Sequence, residues 1–562
     1  MTRLIEPGAP ARRAAVAEPL LETTVGALLR RVAEAVPDRT ALVEGVIDAD
    51  DGEPRRWTYA ELLDAAERVA GRLAATLPAG SRVALWAANS PEWVVAAFGV
   101  ALARMVAVPV DPGFGARELE RVLGRSGAAG VLHDRAHRGT PLADVLGEVA
   151  PRLRALELVL PIDAPELRAG APGRLPDADP GDPVLMQFTS GTTGFPKGAQ
   201  LHHRAVVNAS RACARRTGFG DGDTWMNVMP VFHIAGGAVA TLAALTHRGT
   251  QVIMPRFDPA ATLRAIARER GSVILAVPTM LLAMLEHPDF AATDLTSLGC
   301  VLSGATAVPV ELVEQVKREM GCAVSIVYGL TEMPILAQTR LDDSAEDQAS
   351  TVGRAQENVE LAIIDPVTLE PLGVGEPGEV WAHGFQTMTG YFRLPDETAA
   401  VVRPDGWVRT GDVGVLDERG FLRLTGRLKD MIIRGGENVY PKEIEDVVFG
   451  HPAVADVHVV GTPDPTWGEV VTAVVRWRPG HPPVGPAAMY AWCSERLAHS
   501  KRPVLWGGVE AFPLTPSGKV RKSELVRLVA DGRIRVHAVG GRADAERWHA
   551  PEIPNRAETR TP

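Results

Sequence analysis

The chain has 562 residues, 46% hydrophobic and 23% charged, which is long enough for two or more domains with large apolar cores. Its formal net charge of -10 argues against a nucleic-acid-binding protein that relies on a basic surface. The four cysteines are far apart and form no C-x-x-C pair, so neither a disulfide framework nor a zinc site is indicated, and reduced thiols in a cytoplasmic protein are expected.

The N-terminal part of the chain predicts helices and strands in alternation. Apolar spacing predicts a helix over 24–36 and a second over 58–77, which opens with Thr58 and Glu61 in capping-box positions. A short apolar strand is predicted at 82–89. Strands that alternate with helices of about ten or more residues predict parallel α/β structure.

No targeting or membrane-spanning segment is expected. The first residues, "MTRLIEPGAPARRAAVAEPLLET", contain no apolar core of the kind found in signal peptides. The most apolar stretch, residues 93–110, is broken by Arg104 and predicts a buried helix followed by a strand.

The amino-acid composition and the predicted secondary structure change at two further points along the chain. Residues 163–183 are rich in Pro, Gly, Ala and Asp and predict a linker, after which short buried strands such as "TWMNVMPVFH" (224–233) recur. Past residue 350, short strands with Gly, Pro and Asp turns predict a β-rich part. We therefore predict an N-terminal domain over 1–429 (β-rich over about 350–429), a C-terminal α+β domain over 430–535 and a mobile tail over 536–562.

One loop, "QFTSGTTGFPKG" (187–198), combines glycines, hydroxyl residues and a lysine. Glycine backbone N–H groups can point at phosphate oxygens without a side chain in the way, and hydroxyls add further donors. The loop is not a Walker A motif, because Lys197 stands three residues after Gly194 and no hydroxyl follows it. By itself this pattern is a weak indication of a phosphate site.

Lysine is rare in this chain. Lys and Arg together number 59, and only seven of these are lysine. Lysines inside motifs, such as Lys197 and Lys519, therefore carry more weight than they would in an average protein.

Six further segments are rich in small, hydroxyl and charged residues. They are "SGAT" (303–306), "YGLTE" (328–332), "RTGD" (409–412), "GRLKD" (426–430), "RGGENVYPKEIE" (434–445) and "PLTPSGK" (513–519). With "TSGTTGFPKG", in this order and spacing, they resemble the adenylate-forming superfamily of acyl-CoA synthetases, peptide-synthetase adenylation domains and firefly luciferase. The resemblance runs from about residue 25 to 530, and "GGENVYPKEIE" resembles the acid:CoA ligase form.

The resemblance implies an α/β fold and a reaction in two halves. A large N-terminal adenylation domain, with two βα-layered subdomains and a small β-barrel-like part, precedes a small mobile α+β C-terminal domain. In the family a carboxylate attacks the α-phosphate of MgATP to give acyl-AMP and pyrophosphate, and a nucleophile, here CoA, then displaces AMP. The C-terminal domain swings between the halves about a hinge, here Asp430.

The resemblance also implies the site residues. The glycine loop holds the β- and γ-phosphates, Glu332 and Thr192 are candidate ligands of Mg²⁺, and Asp412, in a predicted tight turn, accepts hydrogen bonds from the ribose diol. The candidate residues for ATP, AMP and CoA are Thr189, Ser190, Gly191, Thr192, Thr193, Gly194, Lys197, Gly304, Ala305, Thr306, Tyr328, Gly329, Thr331, Asp412, Arg427, Gly435 and Gly436.

Three residues are assigned to catalysis by the resemblance. Lys519 touches both the reacting carboxylate and the phosphate, where a compact cation offsets the repulsion between two anions. Glu332 acts through the metal, and His233 gates the acyl pocket. Individually, a histidine beside apolar residues, such as His233, is more often a core side chain, and an arginine such as Arg427 is more often a surface charge.

The acid and the acceptor stay open. Ile234 to Gly237 offer no aspartate for an α-ammonium, which disfavours an amino acid, and the small residues 235–240 favour an aliphatic, alicyclic or aromatic acid. "SGAT" and the last motif depart from many relatives, which bears on acyl specificity and CoA docking. A carrier-protein thiol, an amine or nitrite is the alternative acceptor; an oxidative luciferase-type activity would share every motif, and a non-catalytic relative is disfavoured by the intact motifs. The oligomeric state is also open, with a dimer as one option.

Overall fold

The computed structural model describes residues 12–13, 19–48, 52–171, 173–189, 196–304, 308–513 and 520–539. The fold is α/β, with mixed sheets and helices, and the chain divides into two units. The first runs to Glu376 and includes Val380–Thr410 and Leu416–Arg423, and the second comprises Pro377–Glu379, Gly411–Val415 and the chain from Leu424 onward. The domain boundary predicted between residues 429 and 430 stays a prediction.

The strands of the described residues are short. In chain order they are β1 Arg12–Arg13, β2 Thr40–Glu44, β3 Arg56–Thr58, β4 Arg82–Trp86, β5 Val106–Val110, β6 Gly130–His133, β7 Ala136–His137, β8 Thr140–Pro141, β9 Leu158–Pro161, β10 Pro183–Phe188, β11 Gly198–His202, β12 Thr224–Asn227, β13 Thr250–Ile253, β14 Val273–Leu275, β15 Cys300–Gly304, β16 Ala323–Tyr328, β17 Ala337–Gln338, β18 Arg354–Ala355, β19 Val359–Ile364, β20 Gly378–Gly384, β21 Gly390–Tyr391, β22 Val408–Leu416, β23 Leu422–Arg427, β24 Ile432–Arg434, β25 Glu437–Val439, β26 Val454–Asp464, β27 Gly468–Trp477, β28 Leu505–Gly508 and β29 Val536–Ala538.

The helices connect these strands. The α-helices are α1 Val25–Ala35, α2 Tyr59–Ala74, α3 Pro91–Leu102, α4 Ala116–Ser126, α5 Leu142–Val149, α6 Pro165–Arg168, α7 His203–Arg216, α8 Thr241–Thr246, α9 Pro259–Glu269, α10 Pro278–Leu285, α11 Val310–Gln315, α12 Ala345–Ser350, α13 Pro395–Val401, α14 Pro441–Phe449, α15 Pro486–Ser494 and α16 Lys522–Ala530. Within the described residues, π-helices span Ala235–Ala240 and Val316–Met320, and 3₁₀ turns span Ala150–Arg152, Phe290–Ala292, Leu428–Asp430 and His499–Lys501. None of the helices in the described ranges combines the length and apolar character that crossing a bilayer requires.

A seven-stranded sheet carries the glycine loop at the end of one of its inner strands. Its order is β21-β11-β10-β5-β4-β6-β9, and β10, β5, β4, β6 and β9 run parallel. The crossover helices α3 and α4 join β4 to β5 and β5 to β6. All of "VAVPV" in β5 is buried, as expected for a parallel strand covered on both faces.

A nine-stranded sheet carries the "SGAT" and "YGLTE" segments. Its order is β18-β17-β16-β15-β14-β12-β13-β2-β3, with parallel pairing from β16 to β2 and antiparallel edges. The two segments leave the ends of the adjacent parallel strands β15 and β16, which places them at the same edge of the sheet. Ligands bind at such carboxyl edges in open α/β sheets.

The remaining sheets are smaller. Strands β19, β20, β22 and β23 of the predicted β-rich part form a five-stranded sheet with β1, in the order β1-β19-β20-β22-β23. Strands β20, β22 and β23 contribute residues to both units. In the second unit a sheet of order β25-β24-β27-β28-β29, with β26 paired to β27, packs against α14, α15 and α16.

Local signals account for the helix starts. Thr58 and Glu61 form the predicted capping box, in which the Glu61 side chain accepts from the Thr58 N–H at 2.8 Å. Thr24 caps α1, and its hydroxyl accepts from the N–H of Ala27 at 3.1 Å. The strand predicted over 224–233 is wrong beyond Asn227, because the chain leaves the sheet there and reaches the π-helix at Ala235 through turns.

Candidate active site

The glycine loop connects two antiparallel strands, β10 and β11, which remain paired up to its two ends. Strand β10 ends at Phe188, which pairs with Gly198, and the N–H of Thr189 donates to the carbonyl of Lys197 at 2.9 Å. These hydrogen bonds hold the two ends of the loop side by side. The predicted donors Ser190, Gly191, Thr192, Thr193 and Gly194 lie outside the described residues.

Arg125 fixes the outgoing end of this loop through a hydrogen bond that the sequence did not predict. Its guanidinium donates to the carbonyl of Pro196 at 3.0 Å, from the last turn of α4. The carbonyl next to Lys197 is therefore tied to a helix of the same unit.

Tyr391 links two of the predicted site residues. Its hydroxyl donates to Oε1 of Glu332 at 2.5 Å, and the Lys197 ammonium lies 5.0 Å from its ring centroid. The tyrosine side chain is buried. Burial, and then the charge of Glu332 and the hydrogen bond to it, raises the pKa of Tyr391 far above its ordinary value, which keeps the hydroxyl protonated as a donor.

Tyr391 was not predicted from the sequence, although one signal was available. The chain has only five tyrosines, so a tyrosine near a motif carries weight for the same reason as a lysine does. Two of the five, Tyr328 and Tyr391, lie at this site.

At the edge of the nine-stranded sheet, neighbouring backbone segments lie too close together to leave room for side chains at two glycines. A Cβ on Gly304 would lie 2.4 Å from the carbonyl oxygen of Val327, and one on Gly329 would lie 2.4 Å from the nitrogen of Ile335. Neither approach is sterically possible, so both positions require glycine. Tyr328 is buried at the end of β16, while Ala305 and Thr306 lie outside the described residues.

Glu332 and Thr331 lie in a turn that folds back on the strand end. The N–H of Leu336 donates to the carbonyl of Tyr328 at 2.7 Å, and the N–H of Leu330 donates to the carbonyl of Met333 at 3.1 Å. Both Thr331 and Glu332 are half-buried in this turn. The turn therefore presents Glu332 at the carboxyl edge of the sheet.

His233 lies in a segment held by two buried amide side chains. Asn89 donates to the carbonyl of Met229 at 2.9 Å and accepts from the N–H of Val231 at 2.9 Å. Gln187, at the end of β10, donates to the carbonyl of Phe232 at 2.8 Å. His233 is thereby tied to the strand that carries the glycine loop.

The π-helix after His233 explains its glycines. A Cβ on Gly236 would lie 2.4 Å from the carbonyl oxygen of Pro230, and one on Gly237 would lie 2.2 Å from that of Val231. The close approach of the 230–231 backbone therefore explains why both positions are glycine. π-helical turns are frequent at functional sites.

Asp412 and Arg427 form an ion pair with 2.9 Å between Oδ1 and Nε. The Asp412 side chain is 5% exposed and that of Arg427 is 45% exposed. Asp412 lies within β22 and not in the tight turn that we predicted. Gly411, within the same strand, has a φ of +70°, a conformation that favours glycine.

Gly435 and Gly436 form the two-residue turn of the hairpin between β24 and β25, in which Arg434 pairs with Glu437. Their φ values of +59° and +87° are those of a turn that requires glycine-like residues at both positions. The N–H of Gly435 donates to the carbonyl of Trp467 at 2.8 Å. Lys519 lies outside the described residues.

The donor set at Glu332 fits a magnesium ion that is shared with phosphates. No cluster of three or more His, Cys, Asp or Glu side chains suited to a metal occurs within the described ranges. Within the described residues Glu332 also forms no ion pair, and its carboxylate accepts a hydrogen bond from Tyr391. One carboxylate plus substrate phosphates is a usual way to bind Mg²⁺, and the Glu332 oxygen that does not accept from Tyr391 is the one that would serve as the ligand.

The structure thus brings together Lys197 and Glu332 in the first unit and Asp412 and Arg427 in the second. Gly304, Tyr328 and Gly329 stand at the same sheet edge as Glu332.

Two family models match the chain. The model described as AMP-binding enzyme matches residues 29–392, and the model described as AMP-binding enzyme C-terminal domain matches residues 443–519. The chain is 34% identical over 539 residues to the putative acyl-CoA synthetase YngI of Bacillus subtilis (strain 168), covering 90% of this chain and 97% of that one. It is 34% identical over 550 residues to the mitochondrial medium-chain acyl-CoA ligase ACSF2 of Mus musculus, covering 90% and 87%.

Solved structures of the same fold are known. ATP-bound MatB from Rhodopseudomonas palustris matches with a TM-score of 0.82 and 29% identity, covering 90% of this chain and 99% of that one. The amide bond synthetase McbA from Marinactinospora thermotolerans matches with a TM-score of 0.78 and 29% identity, covering 89% and 99%.

Proposed function

The chain belongs to the family of AMP-binding enzymes and is an AMP-forming acid:CoA ligase, and we propose that its motif residues divide the two halves of that reaction among them. In the first half a carboxylate attacks the α-phosphate of ATP, giving acyl-AMP and pyrophosphate. In the second half the CoA thiol gives up its proton and its sulfur attacks the acyl carbon. The thioester C–S bond forms as the C–O bond to AMP breaks, and AMP leaves with the bonding electrons.

The glycine loop and Glu332 hold the triphosphate. Lys197 supplies a positive charge at the end of the loop, and the N–H and hydroxyl donors of 189–194 complete the cradle. Glu332 holds Mg²⁺, which neutralises phosphate charge when it is bound. Support for this assignment comes from Tyr391, which contacts both Lys197 and Glu332.

The family resemblance assigns the ribose to Asp412 and the adenine to the edge of the nine-stranded sheet. The buried Asp412 carboxylate accepts from the ribose hydroxyls, and Arg427, already paired with it, keeps that carboxylate oriented. The adenine lies along the backbone of Gly304 and Gly329, where side chains are sterically excluded.

His233 and the π-helix bound the acyl end of the site. The surroundings of residues 234–240 are apolar, with Ile234, Ala238 and Val239 buried. We propose an apolar, medium-chain aliphatic acid as the substrate to test first, since the mammalian relatives are named medium-chain acyl-CoA ligases.

Lys519 and the hairpin turn at 435–436 serve different halves. The family resemblance assigns Lys519 to adenylation and "RGGENVYP" to the passage of pantetheine, with the C-terminal domain turning about Asp430 between them. The exposed glycine turn is compatible with a thin, extended ligand arm passing close to the backbone.

A second acceptor is supported by one observation. McbA, which matches nearly along its whole length, is named an amide bond synthetase. An amine, or a carrier-protein thiol, would replace CoA in the second half and leave the first half unchanged.

We also propose a cytoplasmic location. All four cysteines are free and buried. Burial raises the pKa of the Cys213 thiol to about 12, which keeps it protonated and unreactive, as suits a reducing compartment.

These assignments rest mainly on two contacts of Tyr391 beside the end of the glycine loop. Its hydroxyl donates to Glu332, and its ring lies near the Lys197 ammonium. The test is acid-dependent exchange of labelled pyrophosphate into ATP by the purified chain. The Glu332→Gln variant keeps an acceptor for Tyr391 but removes the charge, so it should need a higher Mg²⁺ concentration for half-maximal exchange. An unchanged Mg²⁺ requirement would contradict the metal assignment.

A further inference from the structure

The segment 388–392 is attached to both phosphate-side motifs by backbone hydrogen bonds. The N–H of Met388 donates to the carbonyl of Glu332 at 2.9 Å, and the N–H of Phe392 donates to the carbonyl of Gly198 at 2.9 Å. Strand β21 pairs with β11 so that Tyr391 lies opposite Ala199, two residues after Lys197. Register therefore places Tyr391 between the glycine loop and the turn that carries Glu332.

The backbone of Tyr391 is itself tightly held. Its N–H donates to the hydroxyl of Thr398 at 2.9 Å, from the first turns of α13. Gly390 has φ of +142°, and a Cβ there would lie 3.0 Å from the methyl carbon of Thr398. With the side chain 7% exposed, the ring has little freedom to move.

Tyr391 contacts two side chains of opposite charge, which would otherwise attract each other. A lysine and a glutamate in one small site tend to form an ion pair, which would neutralise both. Within the described residues the structure records no ion pair between Lys197 and Glu332. Instead, the carboxylate accepts from the phenol hydroxyl and the ammonium lies by the ring face.

We propose that Tyr391 is a positioning residue that holds Glu332 and Lys197 apart and aimed at the magnesium ion and the terminal phosphates of MgATP. The hydroxyl occupies one carboxylate oxygen and leaves the other for the metal. The ring face holds the ammonium weakly enough that a phosphate can take it over. The Glu332 and Lys197 side chains are already restricted in their rotamers before ATP binds. ATP binding therefore costs less side-chain conformational entropy.

This proposal rests on the proposed function, and equilibrium binding of ATP to the full-length chain tests the two separately. Isothermal titration calorimetry would measure the ATP affinity with Mg²⁺ and with EDTA. Tyr391→Phe removes the hydroxyl and keeps the ring, whereas Tyr391→Leu removes both. Tyr59→Phe is the matched control, because its buried hydroxyl donates to the carbonyl of Gly249 at 2.6 Å and it has no role at the site.

For Tyr391→Phe we expect the gain in ATP affinity on adding Mg²⁺ to fall about 10-fold, the usual effect of losing a hydrogen bond to a charged group. Its affinity in EDTA should stay near that of the wild type, because the ring still holds Lys197. Tyr391→Leu should lose about 3-fold in EDTA as well, since the cation–ring contact is gone. Tyr59→Phe should change neither value.

Steady-state pyrophosphate exchange gives a second readout. Tyr391→Phe should raise the KM for MgATP and leave the KM for the acid unchanged, and raised Mg²⁺ should restore much of the rate. A merely structural role would change both KM values and would not respond to Mg²⁺.

Two results would overturn the proposal. One is a Tyr391→Phe protein with the wild-type response to Mg²⁺, and the other is an equal loss of affinity with Mg²⁺ and with EDTA. If the wild type itself bound no ATP, the proposed function would fail instead. If the Tyr391→Leu protein does not fold, the ATP affinities of Tyr391→Phe with Mg²⁺ and with EDTA are sufficient to test the proposal.

Discussion

Asp412 and Arg427 hold each other by an ion pair of 2.9 Å, although one lies in β22 and the other ends β23. The Asp412 side chain is 5% exposed, and the ion pair with Arg427 helps to orient its carboxylate. The family resemblance assigns both residues to one nucleotide. We propose that the pair is a preformed acceptor for a ribose diol, which would need no movement of the carboxylate.

Asp412→Ala should reduce kcat/KM for ATP by about 100-fold, because two hydrogen bonds to a charged group are lost. Loss of discrimination between ATP and 2′-deoxy-ATP is the more specific effect. Acid-dependent pyrophosphate exchange with both nucleotides measures it. Asp417→Ala, which changes another aspartate paired with an arginine, is the control and should keep the wild-type preference. A retained preference in Asp412→Ala would disprove the ribose assignment.

Lys519→Ala should slow adenylation by about 10²- to 10³-fold, since the shared cation between carboxylate and phosphate is lost. Thioester formation from supplied acyl-AMP and CoA should stay largely intact. Rapid-quench assays of the two half-reactions give the comparison, with Lys317→Ala as a lysine outside the motifs. Equal losses in both halves would contradict the assignment of Lys519 to the first half.

Gly436→Leu should slow thioester formation by about 10-fold or more, because a side chain would project where pantetheine is expected to pass. The substitution also strains the backbone at φ of +87° by roughly 1 kcal/mol. Gly480→Leu has nearly the same φ of +81° and open surroundings, so it controls for strain alone. Equal CoA turnover in the two variants would argue that the glycines serve only the hairpin turn.

His203 should make stability depend on pH. Its side chain is 1% exposed, Nδ1 accepts from the N–H of Val25 at 3.1 Å, and burial lowers its pKa to about 4. A depressed histidine pKa means that protonation favours the unfolded chain. The contribution is complete above the unfolded pKa near 6.5 and is lost as pH falls toward 4, up to about 3 kcal/mol.

Thermal unfolding of His203→Asn between pH 7.5 and 4.5 tests this. Asparagine can still accept from Val25 but does not titrate. The wild-type Tm should fall more steeply than the variant Tm as pH drops below about 6.5. Parallel curves would show that His203 does not contribute.

Local sequence signals predicted the helices that begin with a cap. Thr58 and Glu61 satisfy each other across one turn, so the start of α2 depends on residues that are neighbours in the chain. Thr24 also caps α1 locally, although that helix was predicted from apolar spacing alone. The α/β fold class and the acid:CoA ligase family followed from alternating elements and from ordered motifs, and both predictions are confirmed.

Interactions between distant residues were beyond local prediction. The apolar run 224–233 has the composition of a strand, yet Asn89 and Gln187 bind the backbone at 229–232 and turn it away after Asn227. Tyr391 shows the same principle at the site, because its role depends on pairing between β11 and β21. The Lys519 and loop assignments at 190–194 stay predictions, since they fall outside the described residues.

Mass spectrometry of the purified chain with MgATP and a pooled panel of carboxylic acids, with and without CoA, is the decisive test of the acid:CoA ligase reaction. We expect AMP, pyrophosphate and one or more acyl-CoA thioesters, with medium-chain acids consumed first, and acyl-AMP when CoA is left out. Acyl-AMP that accumulates even with CoA present would contradict CoA as the acceptor. Release of ADP and phosphate without any acyl-AMP would contradict the AMP-forming mechanism itself.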